Sequence, residues 1–142
     1  MTRREALPWL AALLAWATLI FVLSSFPNPP GPRVTEPRAI AAHVAVYAVF
    51  GYLAQQALHR SRIARPSTVT LAAWLLAVAY GISDEFHQTF VPNRHASALD
   101  VLADAIGAAV GVAFGWWRAR RQPGPVSRTA VPQGPARSRR AR

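Results

Sequence analysis

Residues 98–117 read ALDVLADAIGAAVGVAFGWW, an apolar run broken only by Asp100 and Asp104. Whether this run crosses a bilayer or lies along its surface decides between three membrane spans and four. A surface helix needs a polar face along its whole length. The second half, GAAVGVAFGWW (107–117), has none. The run is therefore predicted to insert, with both acids near its beginning.

Three more stretches lie outward from it. Ala6–Phe26 and Pro66–Ser83 carry no charge, and Ala39–Leu58 holds only His43. A helix needs about 20 apolar residues to cross about 30 Å of hydrocarbon, where only helices and closed barrels satisfy their own backbone. The fold class expected is all-α: a small polytopic membrane protein, residues 1–118, built as a four-transmembrane-helix bundle with spans about 6–26, 39–58, 66–83 and 98–117. The first run exceeds the ~7–15 apolar residues of a signal-peptide core and is read as a retained helix.

Composition agrees. Of the 142 residues, 52% are apolar and 15% charged, against about 25% charged in soluble domains. No cysteine is present, which excludes disulfides and thiolate metal sites. All 16 basic residues are arginine, and eight fall in Arg118–Arg142 with four prolines and no acid. Residues 119–142 are accordingly expected to form a disordered Arg/Pro-rich cytoplasmic tail, attracted to anionic lipid headgroups rather than to nucleic acid. The positive-inside rule orients the rest. With both termini and the Arg60–Arg65 loop in the cytoplasm, 13 arginines lie inside and three outside. The expectation is a multi-pass protein of the cell (cytoplasmic) membrane with residues 84–100, DEFHQTFVPNRHASALD, facing out.

That topology gathers polar side chains at the outer ends of the helices: Ser24 and Ser25, His43 and Tyr47, Asp84 and Glu85, Asp100 and Asp104. The inner halves read as plain. Residues four apart share a helix face, which pairs His43 with Tyr47, Asp100 with Asp104, and Asp84 with Gln88 if the third helix continues past Ser83. Asp104 continues into Gly107, Gly111 and Gly115, a small-residue stripe that suits either a neighbouring helix or a homo-oligomer. A charge at the bilayer centre costs about 2.5–3.5 kcal/mol, so Asp104 needs a partner or a proton. Arg94 is the expected partner. Pro92 and Asn93 suit a turn that folds it back over Asp84, Glu85 and Asp100.

The candidate catalytic residues are Glu85 and Asp100, a carboxylate pair able to divide acid and base roles, with His43 as a base. Candidate binding residues are Asp84, Gln88, Arg94, Asp104, Tyr47, Ser24 and Ser25. The serines also suit a helix end beside FPNPP, and His87 and His95 read as solvated loop residues. The spacing of His43, Asp84, Glu85 and His87 matches no zinc or calcium pattern, so neither metal nor cofactor is expected. Trp9, Trp16, Trp74, Trp116 and Trp117 read as interface anchors or packing residues.

SSFP (24–27), His43 and Tyr47, DEFHQTFVPNR (84–94) and DVLADAIGA (100–108) together resemble the VanZ-like membrane protein family over about residues 5–118. Its pattern is D-E-x-x-Q-x-F-x-P-x-R followed by D-V-x-x-N/D-x-x-G. Asp84, Glu85, Gln88, Phe90, Pro92, Arg94, Asp100 and Gly107 match it. Asn93 stands where Gly is common, and Asp104 stands where Asn is common. The resemblance implies a small integral membrane protein and an association with low-level resistance to glycopeptides such as teicoplanin. Three functions are carried forward: an outward polar site engaging lipid-linked envelope precursors, a membrane enzyme using paired carboxylates, and an ion network of Arg94 with the acids that fixes helix register.

Overall fold

The computed structural model describes residues 5–27, 36–61 and 65–121. They form four helices: α1 (Leu7–Ser24), α2 (Glu36–Ser61), α3 (Pro66–Gln88) and α4 (Ala98–Arg121). All four are long and apolar enough to cross a membrane. Prolines open three of them: Pro8 and Pro37 stand in the first turns of α1 and α2, and Pro66 begins α3, positions where the missing N–H would be unsatisfied anyway. The Ser97 hydroxyl accepts the Asp100 N–H (3.2 Å) and so caps α4.

Leu7, Leu14, Leu71, Ile82, Ile106 and Phe114 are among many large apolar side chains that point outward. On a water-soluble protein so continuous a belt would aggregate; here it is the face offered to lipid. The interior is built from small residues, with Ala54, Ala73, Ala77 and Ala108 fully buried beside Tyr47 and Phe50.

The tightest packing joins α2 to α4, which run parallel. A Cβ on Gly107 would strike the Val44 carbonyl, and one on Gly111 the Ala48 carbonyl. The stripe read from the sequence is thus taken up within the chain by α2, and Asp104 at its head is buried (1% exposed). Polar atoms of large aromatics also tie neighbours together. Trp16 Nε1 donates to the Val46 carbonyl (3.1 Å), Trp74 Nε1 to that of Ala105 (3.0 Å) and Tyr80 Oη to that of Ala17 (2.6 Å).

Several helix ends differ from the expected ones, and α2 runs three residues further at each end, Glu36–Ser61. α3 does continue past Ser83, through Gln88, because its terminal acids find hydrogen bonds inside the bundle. α4 runs to Arg121, so the first residues assigned to the tail are helical. Arg120 and Arg121 lie over the rings of Trp116 and Trp117, 3.9 and 4.2 Å from their centroids; a cation held on an aromatic face suits a membrane boundary. The rest of the tail, residues 122–142, lies outside the described residues, as do Arg33 and Arg62 of the loops.

The other end of the bundle is not plain. Gln55 and Gln56 are both buried. Gln56 Nε2 and Arg118 Nη1 each donate to Tyr52 Oη (3.0 Å). Two adjacent glutamines inside an apolar run were the available signal.

Candidate functional site

α1 brings Ser24 to the end of α3, where its hydroxyl donates to Asp84 Oδ1 (2.6 Å). One turn on, Gln88 Nε2 donates to Asp84 Oδ2 (3.2 Å) and to Glu85 Oε1 (3.1 Å). The remaining Glu85 oxygen, Oε2, accepts the Ser97 N–H (2.8 Å). Ser97 thus links the start of α4 to the end of α3, a role its sequence context did not reveal. Asp84, Glu85 and Gln88 are all buried.

From α2, His43 reaches α4. Its Nδ1 lies 2.9 Å from Asp104 Oδ1, and its Nε2 4.0 Å from Asp100 Oδ2. Asp104 Oδ2 and the Tyr47 hydroxyl are buried without a hydrogen-bond partner among the described residues. His43, Glu85 and Asp104 can each offer a ligand atom within 4.8 Å of the others. This three-helix grouping is invisible to linear spacing.

The turn is as expected. The Arg94 N–H closes it on the Val91 carbonyl (3.1 Å), and Asn93 has φ 64°, the left-handed region that Asn tolerates. Its result is not. Arg94 forms no ion pair with any acid of the described residues, and its Nε is buried without a partner. The acids are already held by Ser24, Gln88, Ser97 and His43, so the expected register-fixing network centred on Arg94 does not form. Arg94 instead lines a cavity of about 230 Å³ with Ser24, His43, Tyr47, Asp84 and Gln88. Ile20, Leu23, Ala42 and Val46 supply its apolar side.

Two other assignments change. His87 lies in α3 and is half-buried rather than in a solvated loop; it packs on Phe21 with ring centroids 4.6 Å apart. Ser25 Oγ lies 3.0 Å from His87 Nε2 but donates to the Phe21 carbonyl (2.6 Å). That leaves Ser25 to accept from His87, which is not how a base activates a nucleophile. Neither Ser25 nor His87 lines the cavity. His95 is exposed, as expected.

Among known protein families, the one described as VanZ/LLP1 matches residues 9–119. No curated protein and no solved structure matches the chain.

Proposed function

The chain belongs to the VanZ/LLP1 family, and we propose that it is a membrane binding protein that takes the anionic head of a lipid-linked amphiphile, such as an envelope precursor, at its polar end. One observation carries this: a buried Arg94 Nε, without a partner among the described residues, in a cavity whose other side is apolar. A guanidinium holds its charge and binds phosphate or carboxylate through directed hydrogen bonds. At about 230 Å³, the cavity falls below the ~300–1,000 Å³ of ordinary small-molecule sites. It suits a headgroup alone. Leu23 and Ala42 on its apolar side are exposed, so an acyl or prenyl chain can pass directly into lipid.

The same geometry favours binding over catalysis by paired carboxylates. Both Glu85 oxygens accept hydrogen bonds, from Gln88 and from the Ser97 N–H, and neither Glu85 nor Asp100 lines the cavity. The proposed orientation, polar end outward across the cytoplasmic membrane, follows the arginine distribution. Protection against teicoplanin would then be a consequence of sequestering its target.

The test is native mass spectrometry of the detergent-purified chain with a polyprenyl phosphate, chelator present throughout. We expect the lipid to bind, and Arg94→Ala to weaken binding roughly 10–100-fold, the worth of a charge-assisted hydrogen bond of about 1.5–3 kcal/mol. Equal binding by Arg94→Ala would contradict the proposal. Expression in a sensitive host examines the resistance version separately, and unchanged teicoplanin susceptibility removes it.

A further inference from the structure

We propose that His43, Glu85 and Asp104 bind a first-row divalent metal ion, zinc or manganese, where α2, α3 and α4 meet at the polar end of the bundle.

Geometry is the first support. Two donors on one ion with bonds of about 2.0–2.2 Å stand ~3 Å apart. His43 Nδ1 and Asp104 Oδ1 are separated by 2.9 Å, and Glu85 brings a third donor within the same 4.8 Å. Glu85 is held in place by Gln88 and the Ser97 N–H, the kind of supporting hydrogen bond that orients a ligating carboxylate.

Unmet polarity is the second. Asp104 is 1% exposed, yet its Oδ2 has no partner among the described residues, and neither does the equally buried Tyr47 hydroxyl. A buried carboxylate oxygen without a donor is costly. Gly81 lets that oxygen pack closely on the α3 backbone: a Cβ there would stand 2.9 Å from Asp104 Oδ2, too near to fit without a shift, and 3.3 Å from the Tyr47 ring.

Charge is the third. Asp84, Glu85, Asp100 and Asp104 converge while His43 makes the only ion pairs of the described residues. A divalent ion offsets that excess. One imidazole with carboxylates suits zinc or manganese better than the all-oxygen preference of calcium or magnesium. The second carboxylate is Asp104, which stands where the family resemblance makes Asn common, and an Asn there would remove a ligand.

Metal binding stands apart from headgroup binding, because it is measured with the ion alone. The full chain, purified in detergent and stripped with chelator, is titrated calorimetrically with zinc, manganese, magnesium and calcium. We expect a single zinc or manganese ion per chain, weakened roughly tenfold or more in Asp104→Asn and in Glu85→Gln, and undiminished in His95→Ala. Lowering the pH from about 7.5 to about 5.5 should also weaken it, since the ligands must shed protons to bind. Bound metal should raise the melting temperature of the wild type and not of Asp104→Asn. The absence of stoichiometric binding by the wild type would overturn the proposal even if every variant misfolded. So would undiminished binding in both carboxylate variants.

Discussion

Tyr47 keeps a hydroxyl buried and without a partner among the described residues, while Ser24, from α1 but in the same cavity wall, gives its hydroxyl to Asp84 at 2.6 Å. The two should answer deletion in opposite ways. Leaving a buried polar group unsatisfied costs about 1–3 kcal/mol, and removing one partner of a charged hydrogen bond costs about as much. Tyr47→Phe is therefore expected to hold or raise the melting temperature of the chelator-treated protein in detergent, and Ser24→Ala to lower it. A drop in both would mean that Tyr47 has a structural partner. Residue chemistry was legible in the sequence wherever it was local: Asn93 was readable as the turn residue and Gln88 as the neighbour of Asp84. That Arg94 would pair with no acid of the described residues was not. Proximity in sequence favoured Asp84, Glu85 and Asp100, but Asp84 and Glu85 are held by hydrogen bonds from Ser24, Gln88 and the Ser97 N–H.

At the scale of elements, the pairing of α2 with α4 positions His43 against Asp104 across a sequence separation of 61. The glycine stripe was readable from its four-residue spacing. Its partner helix was not, because any of three helices, or a second copy, could lie in such a groove. The register fixed by Gly107 against Val44 and Gly111 against Ala48 settles which side chains meet. Gly111→Val should lower thermal stability sharply, since the added atoms meet backbone that cannot yield; overpacking ordinarily costs about 1–3 kcal/mol and more where backbone must shift. Gly115→Ala should be milder, because it adds a single carbon that would meet side-chain atoms of Gln55, at 2.9 Å, rather than backbone. Equal losses would argue against the register. The end of α3 was missed for a related reason. Asp84 and Glu85 resemble the start of a loop until the hydrogen bonds that hold them inside a helix are known.

For the whole molecule, charge and polarity divide the two ends. Arg60, Arg65, Arg118, Arg120 and Arg121 of the described residues stand at one end, Arg38 and Arg94 with the acid cluster at the other. The four-span architecture was legible from hydropathy alone, since each apolar run is long enough to cross and nothing else satisfies a backbone in lipid. Which end faces out rests on the arginine bias, and the proposed access of an envelope amphiphile and of a metal ion depends on it. Because the chain contains no cysteine, single cysteines can be placed without further change at His95 and at Ser67, both exposed and at opposite ends. With a membrane-impermeant maleimide on intact cells, His95→Cys should label at once and Ser67→Cys only after permeabilisation. Labelling of Ser67→Cys in intact cells, with His95→Cys protected, would place the acid cluster inside and contradict the account.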